Sequence, residues 1–277
     1  VGAPFLFVHF FAVIPCHKGQ CPQSFMEFVV RILVLILALF LVPAASWADG
    51  MPEEGSVRIR PLTNGVWLHV SSHTFEDGSR YTSNGLIVRD RGHLVLVDSA
   101  WGDDATATLL DEIEAAIGLK VTMAVATHSH EDRAAGAKVM KVRGIRFYAS
   151  RATRHLMTTR GKTPPEYELD LKDEPGATTK LGPLEIMYPG TAHTADNLVV
   201  WLKRQKLLFG GCAVREATAQ NLGYFKEGDP AGWGPAMALV QDHYGSATIV
   251  VPGHGKVGDA GLLDHTAALA AQHVAAP

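Results

Sequence analysis

Val121-Thr-Met-Ala-Val-Ala-Thr-His-Ser-His-Glu-Asp132 carries an apolar run straight into three potential metal ligands. The apolar half, Val121 to Ala126, has the length and β-branched content of a buried strand. His128, His130 and Asp132 then follow at i, i+2 and i+4. In an extended loop, residues two apart present their rings on one side, so His128 and His130 can grip one ion. Asp132 falls where a helix begins, and a carboxylate there also suits capping.

Three more candidates stand singly, each in a turn of small residues. They are His193 in Gly190-Thr-Ala-His193, Cys212 in Gly210-Gly-Cys212, and His254 in Pro252-Gly-His254-Gly255. Taken alone, each is an ordinary structural residue. Together with the first cluster they make six donors of imidazole, carboxylate and thiolate type, the mixture that suits zinc. Six exceed one tetrahedral shell, which points to two neighbouring ions with a water between them. His128, His130 and His193 would form a three-imidazole site whose open fourth position lowers the pKa of a bound water to about 7. Asp132, Cys212 and His254 would form the second site. Zinc supplies the positive neighbour that a thiolate needs at neutral pH.

The 277 residues are 47% apolar and 19% charged, enough for one sizeable core or two small ones. A net charge of −3, without any run of more than two Lys or Arg, predicts no nucleic-acid partner. Residues 26–48 have the layout of a secretory signal. Arg31 precedes the apolar stretch Ile32 to Val42, and Pro43-Ala-Ala-Ser-Trp-Ala48 places small residues before Asp49. Residues 1–25 precede the plausible start Met26 and are expected to be a non-native extension or part of a longer leader, outside the fold in either case. The expectation is therefore a single domain over 49–277, exported to the periplasm, without a stable membrane anchor after cleavage, and monomeric. Cys16 and Cys21 would leave with the leader. Cys212 would then be a lone thiol in an oxidising compartment, which metal ligation explains.

Strand-like alternation marks Val57–Arg60, Val66–Val70, Leu86–Val88 and Leu94–Val97. Between the second and third, Ser71 to Arg80 with its Asp77-Gly78 turn predicts a projecting hairpin. Helical spacing covers Ala105–Ile117, Arg133–Val142, Ala152–Thr159, Trp233–Tyr244 and Leu262–Val274. Further strands are expected at Arg146–Tyr148, Leu184–Tyr188, Asn197–Leu202, Lys206–Phe209 and Thr248–Val251, and a surface loop over Lys162–Ala177. Two β-rich halves with flanking helices suggest two sheets face to face with helices outside. Every candidate ligand follows a strand or sits in a turn, so one edge of such a sandwich would gather them.

These stretches resemble the metallo-β-lactamases, and within them subclass B1 and the VIM-type carbapenemases. The resemblance rests on Ser83-Asn-Gly-Leu-Ile-Val-Arg-Asp90, Asp98-Ser-Ala-Trp-Gly102, Ala192-His-Thr-Ala-Asp-Asn-Leu-Val-Val200, Leu208-Phe-Gly-Gly-Cys-Ala213 and Val251-Pro-Gly-His-Gly255. It implies an α/β fold of the αββα four-layer sandwich type, with two mixed sheets. It also implies two zinc ions per chain, held as set out above, and hydrolysis of the β-lactam amide of penicillins, cephalosporins and carbapenems by a zinc-bound hydroxide. His128, His130, His193 and Asp132 would be catalytic, Asp132 orienting the attacking water.

Around this centre, Arg215 would pair with the substrate carboxylate, unless it is a solvated loop cation. Asn221 would donate to the oxyanion. Phe75, on the hairpin, would cover the substrate, with Trp101 and Tyr224 as further contacts and His73 facing solvent. Arg133 and Asp98 would pair beneath the ligands, or simply at a helix end. Some residues depart from the family pattern: Ala135-Gly136 stands for Gly-Gly, Gln220 for Gly and Tyr224 for Asp, and the loop from Cys212 to Asn221 is short. These leave the ligands intact but bear on where the Asn221 amide lies. Thioester or lactone hydrolases share the fold, yet they typically carry a second His and a bridging Asp where this chain has Arg133 and Cys212. A non-catalytic zinc-binding protein would need closed metal shells.

Overall fold

The computed structural model describes residues 52–275. The proposed leader and signal, residues 1–48, lie outside them. The first sheet contains β1 (Val57–Thr63), β2 (Val66–Thr74), β3 (Arg80–Asp90), β4 (His93–Val97), β5 (Val121–Val125), β6 (Arg146–Ala149) and β7 (Tyr167–Glu168), in that order across the sheet. β1 to β4 pair antiparallel, and β4 to β7 pair parallel. The second sheet contains β8 (Thr178–Leu181), β9 (Leu184–Met187), β10 (Val199–Leu202), β11 (Leu207–Gly211) and β12 (Ile249–Pro252), ordered β12-β11-β10-β9-β8. Its pairings are antiparallel except β11 with β12.

Six α-helices and a short 3-10 helix (Lys203–Gln205) complete the described chain: α1 (Gly102–Ile117), α2 (Glu131–Ala134), α3 (Ala137–Val142), α4 (Arg151–Thr159), α5 (Pro230–Tyr244) and α6 (Gly261–Ala275). Strand periodicity of two sorts the apolar side chains into three cores. Leu86, Val88, Val95, Val97 and Val125 meet Ile186, Val200, Phe209 and Val251 between the sheets. Ile87, Leu94, Leu96 and Ala124 point the other way, onto Leu109 and Ile113 of α1 and Met140 of α3. Val199, Trp201, Leu208 and Val250 pack against Trp233 and Met237 of α5 and Leu263 of α6. The result is a helix–sheet–sheet–helix stack, the expected αββα sandwich.

Three local expectations need correcting. The helix expected over Arg133–Val142 is two short helices, broken at Ala135-Gly136. Gly136 lies so close to α1 that an added Cβ would stand 2.5 Å from Thr106 Oγ1, and the chain bends to allow the approach. The expected loop over Lys162–Ala177 contains β7, a two-residue edge strand against β6. β8, Thr178-Thr-Lys-Leu181, was not expected at all, because its polar residues lie exposed or half-exposed on the sheet margin.

Candidate metal centre

Parallel pairing fixes where the site lies. β4 and β5 end together at one edge of the first sheet, and β11 and β12 end together in the second. β4 delivers Asp98, β5 the His128–Asp132 segment, β11 Cys212, and β12 His254. His193 comes from the loop that leads into β10. Cross-links lock the two edges in register: Leu198 N–H donates to Thr127 O (2.8 Å), Asn84 N–H to Gly253 O (2.8 Å), and Asn84 Nδ2 to Pro252 O (2.9 Å). Gly253 is required by contact. A Cβ there would stand 2.7 Å from Cys212 Sγ and 2.8 Å from Arg133 Nη2.

The six candidates converge in two overlapping groups. His130 Nδ1 lies 3.1 Å from His128 Nε2 and 3.2 Å from His193 Nε2, with the three rings set edge to face. Beside them, Cys212 Sγ is 3.2 Å from His254 Nε2 and 3.9 Å from Asp132 Oδ2, and His254 Nε2 is 3.4 Å from Asp132 Oδ2. His128, His193 and Cys212 also lie close enough to hold one ion together, so the groups adjoin. Tetrahedral zinc, with bonds of about 2.0–2.3 Å, sets its donor atoms roughly 3.3–3.6 Å apart. Both groups fit that ion in spacing and in donor chemistry.

Arg133 ties the groups together from beneath. It is fully buried. Nη2 meets Asp132 Oδ2 (2.8 Å), Cys212 Sγ (3.0 Å) and Gly253 O (2.8 Å), while Nη1 meets Asp98 Oδ2 (3.2 Å) and Asn84 O (2.5 Å). Asp98 also accepts from the Thr127 N–H (2.7 Å) and Thr127 Oγ1 (2.9 Å), so it braces the start of the ligand loop. Arg133 and Asp98 are thus joined in the core, not at an exposed helix end. Asp132 is not a cap: His130 holds the N-cap position of α2 without a side-chain cap bond, and the Asp132 carboxylate turns inward to Arg133.

Burial sets the protonation states. It holds His128 well below the usual imidazole range, His193 at about 3 and His254 at about 4, with neighbouring imidazoles or Arg133 acting in the same direction. These rings are therefore neutral and free to donate lone pairs near pH 7. Burial would raise the Asp132 carboxyl, but Arg133 and the imidazoles outweigh it and keep the carboxyl low. Burial pushes the Cys212 thiol up to about 12 despite Arg133. That thiol ionises on contact with a cation.

The side chains expected to meet substrate are placed as follows. Phe75, 43% exposed, stands on the β2–β3 hairpin edge-on to Trp101 (5.8 Å between centroids). His73 faces solvent only in part, its side chain being half-buried. Its ring stacks on Trp101 at 5.3 Å, and its Nδ1 lies 3.0 Å from Glu54 Oε1. Tyr224, 53% exposed, sets its ring at 5.7 Å from that of His130. Arg215 is half-buried and donates through Nε to Asn221 O (3.2 Å), so the two are coupled. Asn221 is exposed and closes a turn of its own loop, Oδ1 accepting the Gly223 N–H (2.9 Å). Sequence reasoning missed Asn84, Arg160 and Glu227. Asn84 lay within a quoted motif, whereas Arg160 and Glu227 carry no local signal.

A four-layer sandwich with a two-part metal-binding centre where parallel strands end defines a class of metallohydrolase scaffold. Over residues 78–254 the chain matches the metallo-β-lactamase superfamily, and it belongs to that family. It is 39% identical over 217 residues to a metallo-β-lactamase type 2 of Bacillus cereus, spanning 77% of this chain and 82% of the relative. A metallo-β-lactamase type 2 of Elizabethkingia meningoseptica is 30% identical over 241 residues, 86% of this chain and 94% of its own. Among solved structures, FIM-1 metallo-β-lactamase from Pseudomonas aeruginosa in its mono-zinc form superposes with a TM-score of 0.77 at 33% identity, covering 82% of this chain and all (100%) of that one. DIM-1 metallo-β-lactamase exposed to ceftazidime gives 0.74 at 38% identity, covering 81% and 100%.

Proposed function

We propose that this chain is a two-zinc β-lactamase that opens the amide of penicillins, cephalosporins and carbapenems. One observation carries the reading: His130 Nδ1 lies 3.1 Å from His128 Nε2 and 3.2 Å from His193 Nε2, and these three rings adjoin a thiol, a carboxylate and a fourth imidazole. The two relatives named above are metallo-β-lactamases, which supports the same substrate class. His128, His130 and His193 would hold one zinc, and Asp132, Cys212 and His254 the other. Bound there, zinc supplies a Lewis acid for the carbonyl and an activated water for the attack.

The remaining work falls to the chain. Asp132, its carboxylate anchored by Arg133, would orient the attacking water. Arg215 receives the carboxylate that β-lactams carry, and its coupling to Asn221 sets how far it reaches. Phe75 and Trp101 form an apolar wall on one side and Tyr224 stands on the other, next to His130. Substrate seated in that cleft would exclude water and strengthen each charge interaction within it. The exported, periplasmic and monomeric state expected from the sequence belongs to the same proposal. Among the described residues, no helix is long and apolar enough to cross a membrane.

The test is nitrocefin turnover with and without a chelator, alongside zinc counted per chain. Chelator-sensitive turnover at two zincs per chain is the expected result. A protein loaded with two zincs that leaves nitrocefin intact, yet cleaves thioesters or lactones, would sink the assignment.

A further inference from the structure

Glu227 belongs to neither donor group, yet it reaches the centre from behind. Its Oε2 lies 3.2 Å from His130 Nε2, the ring nitrogen turned away from His128 and His193. Arg160, just past the end of α4, donates to that same oxygen through Nη2 at 2.5 Å. Its Nη1 reaches Ser129 Oγ at 3.4 Å, and Ser129 is the residue between the two His of the loop. The carboxylate is also fixed by its own backbone. Asp229 N–H donates to Ala192 O (2.9 Å), and Gly228 packs so closely that an added Cβ would stand 2.1 Å from Ala192 O and 2.5 Å from His193 O. The loop carrying Glu227 is thereby seated on the segment carrying His193.

An imidazole ligates through one nitrogen, and the partner of the other nitrogen selects the tautomer. A carboxylate at Nε2 keeps the proton there and leaves the Nδ1 lone pair facing His128 and His193. We propose that Glu227 is a positioning residue that fixes the tautomer and ring angle of His130, with Arg160 holding Glu227 in place. The three-imidazole half is then assembled from outside its own loops. This rests on the reading that His128, His130 and His193 hold zinc.

A plain surface ion pair would leave metal binding untouched, so affinity discriminates. The probes are zinc, measured by chelator competition, and cobalt(II), whose absorption bands report ligand geometry. Glu227→Ala is expected to weaken binding at the three-imidazole half by about 10–100-fold and to shift the cobalt bands. Glu227→Gln keeps an acceptor for Nε2–H and should recover most of the affinity. Arg160→Met should weaken binding by less than Glu227→Ala does, because the carboxylate remains. All three variants should unfold like the parent when metal-free. An unchanged affinity and cobalt spectrum in Glu227→Ala overturns the inference, and so does an equal loss in the Ala and Gln variants. A parent that binds no zinc overturns the proposed function itself, so the two failures can be told apart.

Discussion

Arg133 touches Asp98, Asp132 and Cys212 with no exposed surface of its own. Removing one partner of a buried charge network leaves the others desolvated and unpaired, at a cost of roughly 3–5 kcal/mol. Arg133→Ala is therefore expected to lose about that much stability in denaturant unfolding. A loss below about 1 kcal/mol would show that Arg133 is not holding the centre together. Cys212 makes a second prediction. Its thiol is pushed up to about 12 by burial, so it is protonated in the metal-free protein and must release a proton to bind metal. Affinity at the Cys212 half should rise about tenfold per pH unit, roughly a hundredfold from pH 7 to pH 9. His128 and His193 are already neutral there and add no such slope. Chelator competition at pH 7, 8 and 9 reads both halves; equal slopes would contradict the assignment. At this scale the sequence told most about donor type and order. It was silent on Glu227 and Arg160, since a pair 67 positions apart leaves no periodic trace.

Under the proposed function, the β2–β3 hairpin would cover the substrate. Phe75 N–H donates to Ser79 O (2.8 Å), and Asp77 Oδ1 accepts the Ser79 N–H (2.9 Å), so the tip is a formed turn. If Phe75 gives substrate an apolar contact that is the same in ground and transition states, Phe75→Ala should raise KM for β-lactams with bulky apolar side groups and leave kcat nearly unchanged. A fall in kcat with unchanged KM would place Phe75 elsewhere in the reaction. Helix α5 starts at an N-cap, Asp229, whose Oδ1 accepts the Ala231 N–H at 3.0 Å. Asp229→Ala should cost about 1 kcal/mol in thermal unfolding. Elements with strong apolar periodicity, such as α1, β4 and β5, were legible; β3 was read only over its central residues Leu86–Val88. The break at Gly136 was not, since it answers to Thr106 and Ser99 on a distant stretch. β8 was hidden for another reason: a margin strand needs little apolar surface.

The two sheets are built from successive stretches of chain. β1 to β7 end at Glu168 and β8 begins at Thr178, with residues 169–177 joining them. The layered arrangement was legible because two β-rich halves appear in order along the chain. The edge register was not, because Asn84 bonding to Pro252 and Gly255 spans most of the domain. A ligand that binds only the folded chain stabilises it by about 4 kcal/mol at a thousandfold excess over Kd. Chelation is therefore expected to lower Tm by about 10 °C in a domain of this size. An unchanged Tm would mean that the metals bind without coupling to the fold.

The division of donors between those stretches has a consequence for protein cleavage. His128 and His130 belong to the first stretch and His193 to the second; Asp132 belongs to the first, Cys212 and His254 to the second. Each ion would bridge the two. A protease nick within residues 169–177 would leave two fragments that neither own a complete set of donors nor lose any. Such a clipped protein should co-elute as one species in zinc, and separate into its fragments when a chelator is added in mild urea.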